Sequence, residues 1–289
     1  MRGRLKGTYI YYALGEGLAR ALPKRAMLSF IQACTRVYLG ASPEDLRTVM
    51  QNLRDALPGA RDENELRRFA KELILNFSAY LVDFVYTDRL SRAFIDEHIE
   101  KKGLENLDKA LAQGKGAILA SAHLGNWEMG GMTLARLGYP VHGIALKHKD
   151  ERINRIFERR RSAHGLRIIP FNGNFRSCFR VLKENGVLGL VSDRLFGERG
   201  MPIEFLKRQV NFPTGIFRFS RATGAPVVPA FFINKGFNRY ALEVEPALPP
   251  AEEREFIQSF ARLLEQKIRD YPTQWFIFQR YWETPEWPI

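Results

Sequence analysis

The stretch Ala117-Ile118-Leu119-Ala120-Ser121-Ala122-His123-Leu124-Gly125-Asn126-Trp127-Glu128-Met129-Gly130-Gly131 decides the fold. A short apolar run of strand character stops at small residues and delivers His123. Asn126, or Gly125 just before it, is placed to cap a helix that continues through Met132, Leu134 and Leu137 to Gly138. His123 and Glu128 are five positions apart, which on one continuous helix would set their side chains about 140° apart. They can meet only if His123 lies in the turn and Glu128 in the first helical turn. A strand–turn–helix unit supplies that geometry.

The chemistry follows from the pairing. A neutral imidazole can take a proton from a hydroxyl, while a carboxylate on its other nitrogen fixes the tautomer and stabilises the imidazolium. The positive end of the helix dipole favours a neutral His123 and an ionised Glu128. The same spacing also arises where a histidine merely pairs with a backbone group at a buried turn.

Beyond this unit the pattern repeats. Val141 to Leu146, Leu166 to Pro170, Val187 to Ser192 and Pro226 to Phe232 read as strands, separated by helices at about Glu151 to Arg161, at Phe175 to Glu184 and after Pro213-Thr214-Gly215. Tyr240 to Val244 is an alternating strand, and Glu252 to Arg269 a strong amphipathic helix. Strands alternating with helices predict an α/β fold with a mixed, largely parallel central sheet flanked by helices. Ligands of such sheets gather beyond the carboxyl ends of the strands. His123 and Asp193 each sit one step past such an end, which predicts a single site built from both.

Upstream, Glu105 to Gln113 reads as a helix, and Ser42-Pro43-Glu44 opens another that runs to Pro58-Gly59. Glu63 to Thr87 is a long helix with Leu66, Phe69, Leu73, Phe77, Tyr80 and Phe84 along one side. Arg2, Arg4 and Lys6 precede a tyrosine-rich segment, Tyr9 to Leu22, closed at Pro23. That segment suits a helix lying among lipid headgroups, or one packed on the body of the protein. Residues 1–100 therefore read as an N-terminal helical, membrane-surface-associating region, and 101–289 as an α/β core forming one continuous domain.

Net charge is +12, from 44 Lys+Arg against 32 Asp+Glu, which points to an anionic partner. The two cysteines, Cys34 and Cys178, match no metal or redox spacing, so a reducing compartment is expected. No stretch reads as a membrane-spanning helix or a secretory signal; Ala26 to Leu39 is interrupted by Gln32 and Arg36 and too short for a roughly 30 Å hydrocarbon core.

Two more stretches carry binding chemistry. The helix from Asp150 to Arg161 holds Arg152, Arg155, Arg159, Arg160 and Arg161 with Asn154, a solvated charged face or a phosphate clamp. Asp193-Arg194-Leu195-Phe196-Gly197-Glu198-Arg199-Gly200 offers Arg194 as a cationic fork, Asp193 to orient it, and two glycines for close backbone approach.

Taken together these stretches resemble the late lipid A biosynthesis acyltransferase family, a branch of the glycerolipid and lysophospholipid acyltransferase superfamily. The resemblance rests on Ser121-Ala122-His123-Leu124-Gly125-Asn126-Trp127-Glu128 and on Arg161 with Gly165. The Asp193 to Gly197 loop follows, leading to Phe205-Leu206 and Pro213-Thr214-Gly215. Gly224-Ala225-Pro226-Val227-Val228-Pro229 and the closing Tyr271-Pro272-Thr273-Gln274-Trp275-Phe276 with Arg280 complete the order; Asn52-Leu53 upstream is a weaker match.

The resemblance implies a glycerolipid acyltransferase-like fold and an O-acyltransferase. His123 would be the general base and Glu128 would hold its imidazole. Asn126, Arg161, Asp193, Arg194, Gly197, Thr214 and Gly215 would bind substrate. Backbone N–H groups around Gly125 or the Arg194 side chain would stabilise the oxyanion. No metal or resident cofactor is implied; acyl carrier protein or coenzyme A thioester would be the co-substrate. The acceptor would be an anionic lipid: a lipid A precursor first, another glycolipid or a lysophospholipid otherwise. The expected place is the cytoplasmic face of the bacterial inner membrane, peripheral or monotopic, with no nucleic acid as partner. Two other readings compete on the residues alone. In one, His123 and Glu128 ligate a metal with His142, His148 or His164 in a hydrolase, although no His-x3-His or His-Glu-x-x-His pair is present. In the other, charge alone makes a nucleic-acid binder, without a recognised motif.

Overall fold

The computed structural model describes residues 4–57, 62–171, 174–196 and 200–283, with side chains from residue 12 onward. Four helices lead the chain: α1 (Arg4–Ala21), α2 (Lys24–Ala41), α3 (Pro43–Ala56) and α4 (Glu63–Val85). Pro43 occupies the first turn of α3, where its missing N–H costs nothing, and Glu44 and Asp45 complement the helix dipole there. Asp62 caps α4 by accepting from the Glu65 N–H at 2.8 Å. Pro58 and Gly59, read as the stop after α3, lie outside the described residues.

The rest of the chain runs α5 (Arg92–His98), β1 (Ile99–Lys102), α6 (Leu104–Leu111), β2 (Ala117–Ser121), α7 (Trp127–Arg136), β3 (Val141–Ala145), α8 (Glu151–Ala163), β4 (Arg167–Pro170), α9 (Arg176–Lys183), β5 (Val187–Val191), β6 (Gly200–Phe205), β7 (Arg208–Pro213), α10 (Gly215–Thr223), β8 (Val227–Gly236), β9 (Arg239–Val244) and α11 (Glu253–Asp270). Seven strands form one sheet in the order β1-β9-β8-β2-β5-β3-β4. Its pairs are parallel except β8 with β9, which a turn at Asn238 joins antiparallel. The expected mixed, largely parallel α/β sheet is therefore present.

Strand β2 is central and buried on both faces, which explains its unbroken apolar run. One face, with Leu119, Val187 and Val228, packs beneath α7 and α8; the other, with Ile118, Ala120 and Leu188, packs with α10, α11 and residues of α3 and α4. The N-terminal helices thus share an apolar cluster with the core: Leu53, Leu66 and Leu73 join Trp275 and Phe276 in it. Two features were not anticipated. Strand β1 has only four residues, three of them charged, and is held at the sheet edge by β9. Strands β6 and β7 form a hairpin whose two-residue turn, Leu206-Lys207, has φ of 52° and 64°. Such turns normally use Asn-Gly. Here α11 fixes the turn instead, with Glu265 accepting the Leu206 N–H at 2.7 Å while the Leu206 side chain is buried.

Candidate active site

Strands β2 and β5 are neighbours in register, Ser121 opposite Val191, and the Ser192 N–H still donates to Ser121 O at 2.7 Å. The chain therefore leaves the sheet at His123 and Asp193 side by side. The His123 ring Nδ1 lies 2.7 Å from Asp193 Oδ1, and the His123 backbone N–H donates to Oδ2 at 3.0 Å. Trp275 Nε1–H donates to the same Oδ2 at 3.0 Å. The Asp193 main chain is fixed from behind by Tyr281, whose hydroxyl donates to Asp193 O at 2.7 Å.

These contacts set the protonation states. Burial of the Asp193 carboxyl favours its neutral form, but His123, Arg194 and the Trp275 donor outweigh that and hold it at about 2. Burial pushes the His123 imidazole below its ordinary value, Asp193 opposes that, and the Arg194 cation adds to the lowering. A neutral imidazole against an ionised acceptor carries its proton on Nδ1. Nε2 is then a free lone pair on the wall of a cavity of about 1130 Å³ that His123 lines. This is the base-and-orienter arrangement of a Ser-His-Asp triad without its nucleophile.

The expected partner of His123 is corrected by this geometry. Glu128 does sit in the first turn of α7, as the spacing predicts, but it faces α8. There it makes a two-pronged pair with Arg161, at 2.8 Å to Nε and 2.5 Å to a terminal nitrogen. Both side chains are buried and line the cavity. Burial alone would lower the Arg161 guanidinium; the Glu128 charge reverses this and raises it. Asp193, expected to orient Arg194, orients His123 instead, because adjacent parallel strands place it nearer to the ring than α7 can place Glu128.

Other expected residues divide by position. Arg194, Thr214 and Gly215 line the cavity, with Thr214 preceding α10. Arg194 also donates to Phe276 O. Asn126, expected to bind substrate, is buried and is not part of the cavity wall. Its side-chain Oδ1 accepts the Met129 N–H at 3.0 Å and so caps α7. Gly197 lies outside the described residues. Of the expected oxyanion donors, the Gly125 N–H is committed to Gln274 O at 2.9 Å and the Asn126 N–H to Phe232 O at 2.7 Å. Gly125 itself has φ of 65°, and a Cβ there would lie 2.1 Å from Phe232 O, so only glycine fits this turn.

Sequence reasoning missed Trp275 and Tyr281 as supports of the acid, although Trp275 falls in the closing segment already singled out. His148, weighed from the sequence only as a metal ligand, lines the cavity in a segment clasped by Asn154: Asn154 Oδ1 accepts the His148 N–H at 2.7 Å and its Nδ2 donates back to His148 O at 2.9 Å. Among the described residues no group of three or more His, Cys, Asp or Glu gathers to hold a metal. Nor is any described helix long and apolar enough to cross a membrane.

Comparison with known proteins supplies the remaining finding. The model of a family described as bacterial lipid A biosynthesis acyltransferase matches residues 4–284. Phosphatidylinositol mannoside acyltransferase of Mycobacterium tuberculosis (strain ATCC 25618 / H37Rv) is 28% identical over 284 residues, covering 94% of this chain and 87% of that protein. The protein of the same description from Mycolicibacterium smegmatis is 25% identical over 282 residues, 95% of this chain and 91% of that one. The lipid A biosynthesis palmitoleoyltransferase of Escherichia coli (strain K12) is 23% identical over 188 residues, 63% of this chain and 61% of that one.

Proposed function

The chain belongs to the bacterial lipid A biosynthesis acyltransferase family and is an acyltransferase acting on lipid, and from that premise we propose that it moves a fatty acyl group from an acyl thioester to a hydroxyl of an anionic glycolipid, with His123 as general base. The observation that carries this is the His123 ring, anchored at Nδ1 by Asp193 while Nε2 faces a large, mainly apolar cavity. Nε2 takes the proton of the acceptor hydroxyl as its oxygen attacks the thioester carbonyl. The tetrahedral oxyanion forms beside the Arg194 guanidinium, whose charge is already felt by His123. Collapse breaks the carbon–sulfur bond, and the imidazolium returns its proton to the departing thiolate. Asp193 stabilises the imidazolium between the two transfers.

A lipid A precursor is the first acceptor in this reading. A phosphatidylinositol mannoside is the second, favoured because the relatives so described align over nearly the whole chain. The Glu128–Arg161 pair and His148 on the cavity wall suit a phosphorylated or polyhydroxyl headgroup. The basic surface would attract either an acidic carrier protein or coenzyme A as donor. Helices α1 and α2 expose Leu14, Leu18, Phe30, Val37 and Tyr38 beside Arg20, Arg25 and Arg36, which suits seating on an anionic lipid surface, in this reading the cytoplasmic face of a bacterial inner membrane.

The test is acyl transfer by purified protein with labelled acyl carrier protein and acyl coenzyme A donors, offered a lipid A precursor, a phosphatidylinositol mannoside and lysophospholipids. Transfer by wild type and its loss in folded His123→Ala is the expected result. Equal transfer by that variant would overturn the role of His123.

A further inference from the structure

Two glycines sit where a parallel sheet ordinarily carries bulk. Gly143 of β3 and Gly189 of β5 are paired in register in the interior of the sheet, and Gly189 also faces Leu119 of β2. A glycine inside a strand weakens it and usually marks a bulge or a close backbone approach. Neither cause is present. The β2–β5 pairing runs through Gly189 and the β3–β4 pairing through Gly143 without a register shift, the β3–β5 ladder ends at the glycine pair itself, and neither glycine has a positive φ. A Cβ built at Gly189 would meet nothing nearer than 3.8 Å, and one at Gly143 nothing nearer than 3.4 Å. Gly130 of α7 is different: a Cβ there would lie 2.9 Å from the Phe232 Cβ, so close packing explains that glycine.

What both strand glycines border is the cavity. They lie on the sheet face beneath α7, shared with Leu119, Val141 and Ile168, and Leu134 and Leu166 complete an apolar arm. The register gives the arm its length. Ser121, next to the His123 turn, is level with Val191; four residues back, Ala117 is level with Val187, which pairs with Val141. At the rise of a parallel strand that is about 13 Å. Gly189 and Gly143 lie midway along it.

We infer that Gly143 and Gly189 set the length of acyl chain the enzyme accepts, by leaving the middle of this arm open to an extended alkyl chain whose carbonyl sits at His123. The inference rests on the acyl-transfer reading above. A side chain at either position would fill the arm beyond its midpoint, and shorter chains would still fit in front of it.

The experiment measures kcat/KM for a ladder of saturated acyl donors, with product chain length read by mass spectrometry, for wild type, Gly189→Ala, Gly189→Val, Gly189→Leu and Gly143→Ala. Each methylene displaced from an apolar pocket is worth about 10–200-fold in kcat/KM. Longer chains should therefore lose at least 10-fold in the valine and leucine variants while shorter chains change little, with alanine intermediate. The thermal midpoint should hold or rise, since a side chain replaces a glycine inside a strand; a purely structural role for the glycines predicts the reverse. If Gly189→Leu does not fold, the alanine and valine steps decide. Wild-type transfer with an unchanged chain-length profile in every folded variant would overturn the inference alone. Wild type inert toward every donor would overturn the acyl-transfer reading beneath it.

Discussion

Replacing Asp193 by asparagine discriminates between the two carboxylates near His123, and its size can be worked from the hydrogen bonds. Asp193 Oδ2 accepts two N–H donors, the His123 main chain and Trp275 Nε1, each at 3.0 Å, whereas Oδ1 meets the His123 ring Nδ1 at 2.7 Å. An amide has one oxygen and one NH2. Its oxygen must take the Oδ2 place, since an NH2 there would confront two buried donors. The NH2 then donates to Nδ1, which drives the imidazole proton to Nε2 and removes the base. Restoring the active tautomer requires flipping the amide and leaving two buried donors unsatisfied, at about 1–3 kcal/mol each. That sum of roughly 2–6 kcal/mol corresponds to about a 30- to 20,000-fold loss of kcat. The upper end matches the roughly 10⁴-fold loss for the same change in a Ser-His-Asp triad. The assay is steady-state acyl transfer at saturating donor, with KM and thermal midpoint followed in parallel. KM should change little and the fold should persist, because the shape of the side chain is kept. Retention of kcat within about threefold, or an imidazole nitrogen spectrum still showing the proton on Nδ1, would refute the orienting role of Asp193.

Four further outcomes are expected. Glu128→Ala should cost about 3–5 kcal/mol in urea unfolding, because it leaves Arg161 buried without its counter-charge; a loss below about 1 kcal/mol would show that the pair is solvated. The acid limb of kcat/KM should fall below the ordinary histidine value of 6.5, since burial lowers the His123 imidazole and only its neutral form can act as base. The same group should erode stability as pH drops through 6.5, where the unfolded chain takes up a proton that the folded chain refuses; an acid limb above 7 would contradict both. Asp83, which pairs with the buried Lys24 at 2.7 Å and accepts from Tyr240 at 2.9 Å, ties α4 to α2 and β9; Asp83→Ala should lose about 3–5 kcal/mol by equilibrium unfolding, and Lys24→Met in the same background should recover much of it.

The sheet was legible because β2, β3, β5 and β8 are short apolar runs between helices with 3.6-residue periodicity, a pattern with few alternatives. The convergence of His123 and Asp193 was legible for the same reason, as both follow strand ends. Which carboxylate holds the ring was not. Glu128 is close in sequence, whereas Asp193 becomes adjacent through the parallel pairing of β2 with β5, a non-local contact that spacing does not encode. The β6–β7 hairpin was hidden because its turn is Leu206-Lys207, a pair with no local preference for positive φ; α11, far along the chain, imposes it. Asn52, singled out within Asn52-Leu53, has its role only in three dimensions. It donates to Ile277 O and Gln279 O and accepts the Tyr281 N–H, clasping a segment more than two hundred residues away.

That segment has a consequence for biosynthesis. Trp275 braces the acid, the Phe276 N–H donates to His123 O, Phe276 O receives Arg194, Gln274 O receives the Gly125 N–H, and Tyr281 pins Asp193. All of these residues are synthesised after the last strand of the sheet. A nascent chain can therefore assemble its strands while His123 and Asp193 still lack their clamp, and the clamp closes only once residues 274–281 have left the ribosome and folded back. The His123–Asp193 pair is thus completed later than the strands that carry it, by a segment that follows the whole sheet in sequence.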